Sequence, residues 1–176
     1  MICVCASSGI YMGLTPTTLT MSSPVQNFIA IMYGSNKYIA CDNTNKIYTS
    51  TDGYNFTQIT TNLTSMVTVY GMKYIGNRFY AYGIPITTNM AYSTDGITWS
   101  PTSLNVVGSS AFCLLYNGSI YMTTIGLGSA HNSSDGINFS VISAIVSNGS
   151  YRVSIACNGN NWIATNNVCR YSTIMQ

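Results

Sequence analysis

"AYSTDGITWS" occupies residues 91–100, and two other stretches repeat its pattern: "YTSTDGYNFT" at 48–57 and "HNSSDGINFS" at 131–140. The common core is Ser-Xaa-Asp-Gly-Xaa-Xaa-aromatic. It comprises Ser50, Asp52, Gly53 and Phe56; Ser93, Asp95, Gly96 and Trp99; and Ser133, Asp135, Gly136 and Phe139. Two readings compete, a ligand or catalytic site written three times and a turn that holds a repeated fold together. The residue types favour the turn. An Asp side chain accepts backbone N–H bonds from residues just ahead of it. Glycine takes positive φ without steric cost. The aromatic that follows brings apolar surface to pack between repeats. Asp-Gly between two strands predicts a tight type I′ hairpin, in which both central residues have positive φ.

A second landmark lies upstream of each turn: "GSNKYIA" (34–40), "GNRFYAY" (76–82), "NGSIYMT" (117–123) and "NGNNWIA" (158–164). The matching positions are Tyr38, Phe79, Ile120 and Trp162, spaced 41, 41 and 42, while Asp52, Asp95 and Asp135 are spaced 43 and 40. Two independent landmarks share one period, and a fixed period of this length marks a repeat architecture. Each unit reads as four short strands. In the second, "MVTVYGMKYI", "RFYAYGI" and "NMAYST" precede the Asp95–Gly96 turn and "ITWSPT" follows it. These runs are rich in Val, Ile, Thr, Tyr and Phe and bounded by Gly, Asn, Asp and Ser, the strand-and-hairpin signal. No segment has a helical period with caps.

Four strands per period of about 40 residues predict an all-β fold, a small β-propeller of four-stranded antiparallel blades. The units span about 25–65, 66–106, 107–146 and 147–176, with one or two N-terminal strands in 1–24. The fourth unit reaches three strands by Gln176. An N-terminal strand that completes it would close a four-bladed ring and remove a sheet edge. Five blades follow if the first 24 residues form more of a blade, and an open fragment completed by oligomerisation is the third option.

The motif resembles the Asp-box, or bacterial-neuraminidase repeat, Ser-x-Asp-x-Gly-x-Thr-Trp, which in that family is a structural turn between the last two strands of a propeller blade. Here glycine follows Asp directly and the aromatic comes one residue early, so this is a variant. The fourth copy, Tyr171-Ser172-Thr173-Ile174, lacks Asp and Gly. Repeats of this short kind are similar to those of phage and large-virus surface proteins. The resemblance implies a virion or particle-surface role, as spike, tail or decoration. It also brings sialidases into view, which use an arginine triad and a tyrosine nucleophile with a glutamate partner.

The composition argues against such an enzyme. The chain has no glutamate, and its only carboxylate side chains are Asp42, Asp52, Asp95 and Asp135. A glycosidase ordinarily sets two carboxyl groups about the scissile bond. Arg78, Arg152 and Arg170 number three, but they lie in different repeats. His131, the sole histidine, is expected on a blade surface, and no Gly-x-Ser-x-Gly elbow, phosphate loop or dinucleotide fingerprint occurs. Catalytic residues, a metal and a cofactor are therefore not expected.

Only 6% of residues are charged, with a net charge of +2. That is far below the usual fraction of about 25% and too weak for a nucleic-acid footprint. No run has the roughly 18 apolar residues of a membrane span. The N-terminus lacks the basic start of a signal peptide. Six cysteines (Cys3, Cys5, Cys41, Cys113, Cys157 and Cys169) have no zinc spacing. Most read as buried thiols, and a bridge from Cys3 or Cys5 to Cys169 is the alternative. Six Asn-x-Ser/Thr sequons occur, at Asn55, Asn62, Asn117, Asn132, Asn138 and Asn148. The surface is built from Ser, Thr, Asn and Tyr. The expected function is a non-enzymatic surface protein on a virion or outside cells. Its partners would be protein subunits, a homo-oligomer included, and it would mediate assembly or host attachment. A carbohydrate-binding, lectin-like propeller is the alternative.

Overall fold

The computed structural model describes residues 2–175 apart from 7, 16, 23, 25, 107, 127–128, 145–153, 160 and 166–171. These residues form five antiparallel sheets in chain order. The first holds β1 (Ile2–Ala6), β2 (Gly9–Gly13) and β3 (Thr20–Met21). The second holds β4 (Phe28–Gly34), β5 (Lys37–Asp42), β6 (Ile47–Ser50) and β7 (Thr57–Ile59). The third holds β8 (Met66–Ile75), β9 (Arg78–Pro85), β10 (Met90–Ser93) and β11 (Ser100–Pro101). The fourth holds β12 (Ala111–Tyr116), β13 (Tyr121–Ile125), β14 (Ser129–Ser133) and β15 (Ser140–Ala144). The fifth holds β16 (Ser154–Cys157), β17 (Trp162–Thr165) and β18 (Ser172–Met175). Strands pair in meander order within every sheet. Among the described residues no helix is long and apolar enough to cross a membrane.

The sheets stack face to face, so their middle strands are buried on both sides. Alternation along the strand assigns each side chain to one neighbour. In β5, Tyr38 and Ala40 face the first sheet with Ile10, Met12, Phe28 and Phe56, whereas Ile39 and Cys41 face the third with Val69, Met72 and Phe79. In β9, Phe79 and Ala81 face back, and Tyr80 and Tyr82 face forward to Leu114 and Tyr121. The last core layer joins Met122 to Ile155 and Trp162. Each fully buried side chain of this size contributes about 1.5–3 kcal/mol, so the core is a series of inter-sheet layers. The first strands form the inner seam, with β1 on β4, β4 on β8, β8 on β12 and β12 on β16. Among the described residues no comparable packing joins β1 to β16, so on those residues the array is open between its first and fifth sheets.

Three expectations change. The N-terminal strands do not complete the last sheet. β1 pairs instead with β2, from Ile2 opposite Gly13 to Ala6 opposite Gly9, and Ile10 and Met12 bury against the second sheet. The type I′ geometry lies at the other landmark: Ser35 and Asn36 (φ 49° and 59°) and Gly76 and Asn77 (φ 56° and 61°) join the first two strands of their sheets. In the Asp-Gly turns only glycine has positive φ (80°, 76° and 73°), because the Asp carboxylate closes a wider loop. The third landmark is Tyr121, not Ile120. Residues 117–120 form a longer turn around the Asn117 carboxamide, which accepts from Ser119 N–H (3.0 Å) and Ile120 N–H (2.8 Å). Tyr38, Phe79 and Tyr121 then occupy one register, each opposite the motif serine of its own sheet.

Candidate functional site: the repeated turns

The three turns share one hydrogen-bond plan. In the second sheet the Ser50 hydroxyl donates to Asp52 Oδ1 (2.8 Å) and accepts from Gly53 N–H (2.9 Å). Asp52 Oδ1 also accepts the N–H groups of Tyr54 and Asn55, both at 2.8 Å. Asp95 accepts from Ile97 and Thr98, and Asp135 from Ile137 and Asn138, again at 2.8 Å. The Asn55 and Asn138 carboxamides donate to the second oxygens of Asp52 and Asp135 (2.7 Å each). Hydrogen bonds to the ionised form favour it. The Asn55 N–H first holds Asp52 well below the usual carboxylate range, and the Asn138 N–H does the same for Asp135. The Ile97 and Thr98 N–H groups bring Asp95 down to about 2.

Each turn also grips the preceding sheet. A Cβ on Gly53 would collide with Met12, one on Gly96 with Ile39, and one on Gly136 with Tyr80. These partners hold one register position on the second strands of the first, second and third sheets. The Lys37 ammonium donates to the Asp95 carbonyl and lies 5.6 Å from the centre of the Phe79 ring. One repeat on, the Arg78 guanidinium donates to the Asp135 carbonyl. The aromatic is latched as well. Asn62 accepts Trp99 N–H (2.6 Å) and donates to the Trp99 carbonyl (3.0 Å). The Ser103 hydroxyl accepts Phe139 N–H (2.7 Å). Phe56 and Trp99 are buried, and Phe139 packs against the layer between the third and fourth sheets. The structure thus brings each motif's residues together within a sheet and spreads the three motifs over three sheets.

The remaining carboxylate, Asp42, caps the turn from β5 to β6. Its Oδ1 accepts Thr44 N–H (2.8 Å), the Thr44 hydroxyl (2.8 Å) and Lys46 N–H (2.9 Å). His131 is not on a surface. It is 5% exposed on β14 with Nε2 3.2 Å from the Ser129 hydroxyl, and burial lowers its pKa. Trp162 is buried in the last core layer. Burial first and the Asp42 carboxylate second push the Cys41 thiol up to about 12, so it is inert. Cys169, Arg152, Arg170 and Asn148 lie outside the described residues, so the proposed bridge and the arginine count have no structural reading. Among the described residues no group of three or more His, Cys, Asp or Glu side chains could hold a metal ion.

One open cleft, about 350 Å³, lies beside the second sheet. Thr44, Lys46, Gln58 and Thr60 stand on its rim, and Leu63 and Met66 form its apolar floor. It escaped the sequence reading because its wall joins the β5–β6 turn to the linker after β7.

No family model matches the chain, and no curated protein matches it. Solved structures do. A structure of YCF48 bound to a D1 peptide has a TM-score of 0.69 at 13% identity and covers 93% of this chain and 56% of its own. The extracellular domain of the one-component system BT4673 from B. thetaiotaomicron gives 0.65 at 14%, over 93% of this chain and 23% of that one. A GH74 enzyme from Niastella koreensis gives 0.55 at 19%, over 98% and 30%. The chain spans from about a quarter to just over half of these longer proteins. Together the stacked meander sheets and these likenesses define the fold as a β-propeller.

Proposed function

We propose that this propeller is a non-enzymatic surface protein of a virion or similar particle, working through protein contacts in assembly or attachment. One observation carries the reading. All four carboxylates of the chain are engaged by backbone N–H groups of their own turns. Each is committed to fixing its own turn, and the motif that repeats is spent on joining sheets. The low charge and the Ser/Thr/Asn surface suit a protein that lives in an assembly. The D1 peptide bound by YCF48 supports a protein ligand for a propeller of this kind. The test is an antibody raised against the folded chain. It should label the outside of intact particles from the producing source, and labelling that appears only after lysis would refute the surface role.

A glycan ligand is the second reading, favoured by the cleft beside the second sheet. Its hydroxyl, amide and ammonium rim over an apolar floor suits one sugar ring, within the size range of small-ligand sites. A glycan array should then give hits that Gln58→Ala abolishes; an array without hits removes this reading.

A further inference from the structure

We propose that the exposed face of the fifth sheet, centred on Ile163, docks the first sheet of a second copy of this chain, so that two open arcs close one ring. This rests on the assembly reading and names one partner for it. The interface in question occurs repeatedly within the chain. On the second strand of each of the first four sheets one side chain points forward and is covered by the next sheet. Met12, Ile39, Tyr80 and Met122 fill that position, at 0%, 0%, 0% and 4% exposure. The corresponding residue of the fifth sheet is Ile163, which follows Trp162 as Ile39 follows Tyr38 and Tyr80 follows Phe79. It is 46% exposed, and Ala156, opposite it in the ladder, is exposed too. The fifth sheet therefore carries the forward half of the repeated interface, and none of the described residues covers it.

The first sheet carries the matching half. Tyr38, Phe79, Tyr121 and Trp162 face the preceding sheet. Tyr11 holds that position in β2, between Ile10 and Met12, which face the second sheet. Tyr11 is part-exposed, and Met21, opposite it in the ladder, is 45% exposed. A two-fold axis would make the fifth-on-first contact twice, leaving no free end. With 6% charged residues, the facing sheets bring almost no like-charge repulsion.

The experiment is light scattering on the full chain over a hundredfold concentration range, with near-UV circular dichroism as the check on folding. The wild type should have twice the 19.0 kDa chain mass. Ile163→Asp should be folded and of single-chain mass, Met21→Asp likewise, and Ile163→Val should remain a dimer. A monomeric wild type at every concentration, a ladder of larger masses, or a dimer that survives both Asp variants overturns the proposal. Particle labelling that persists with a monomer would show that ring closure failed and the surface reading did not. If neither Asp variant folds, the wild-type mass decides alone.

Discussion

The third sheet and the fifth begin from the same repeat and differ in what covers them. Tyr80 in the third is sealed beneath the Gly136 turn of the fourth, whereas its counterpart Ile163 faces solvent. The third sheet has a complete motif whose Asp95 holds two N–H groups and whose Trp99 is latched by Asn62, in the linker after β7. The fourth copy has neither Asp nor Gly. A sheet of this kind is therefore secured from two directions, by its own turn reaching back and by the next turn reaching onto it.

Several substitutions sharpen that contrast. The largest effect belongs to Trp99→Ala, which empties a buried aromatic site between the second and third sheets and should cost about 3–5 kcal/mol in urea unfolding. Trp99→Phe should cost far less, about 1 kcal/mol. Phenylalanine stands in the other two motifs, and the buried indole N–H has no partner to lose. Next comes Gly96→Ala. It places a Cβ at φ 76° and against Ile39, so its cost should exceed that of Gly108→Ala, which shares φ 76° but meets open space. The backbone part is about 1–2 kcal/mol in both, and the excess at Gly96 measures the inter-sheet contact. Asp95→Ala should cost about 1 kcal/mol, as loss of a capping side chain does, and equal stability of variant and wild type by thermal melting would contradict its turn role.

The smallest effects are electrostatic. The motif carboxylates titrate lower in the folded chain than in the unfolded one. Their contribution is complete above the unfolded value of about 3.9 and is lost as pH falls toward the folded value, about 2 for Asp95. The melting temperature should drop across that window, and less steeply in Asp95→Asn. His131 has the same sign at higher pH. Its folded pKa lies below the ordinary value of 6.5, so stability should begin to fall as pH drops below it, and His131→Gln should remove that part.

The fold was legible where chemistry is local. The Asp-Gly stretches and the aromatic strands after Tyr38 and Phe79 announce a repeat by spacing alone, and the strands of 66–101 follow the pattern closely. What was hidden depends on partners distant in sequence. Asn62 reaching Trp99 and Lys37 reaching Asp95 have no local signature. Nor could composition tell that Ser35–Asn36 takes the tight turn while Asp-Gly closes a wider one, since both pairs suit turns. Ile120 was mistaken for Tyr121 because the turn at 117–120 is longer than its counterparts. His131 was misplaced for a related reason, as burial on β14 is decided by the adjoining sheets. One further period went unread. Ile29, Tyr70 and Phe112, spaced 41 and 42, are the extra residues of bulges in successive inner strands. Such bulges re-aim a side chain, and here the Tyr70 and Phe112 rings stack at 5.5 Å across neighbouring sheets.

The central claim is that each Asp-Gly turn joins its sheet to the one before, and a double-mutant cycle between Gly96 and Ile39 tests it most directly. Ile39→Val deletes the Cδ1 atom that a Cβ on Gly96 would strike. The cost of Gly96→Ala should therefore shrink by more than about 0.5 kcal/mol in the Ile39→Val background, beyond the scatter of independent sites. Strict additivity would mean that the turn does not pack on Ile39 of the preceding sheet, and would contradict the account.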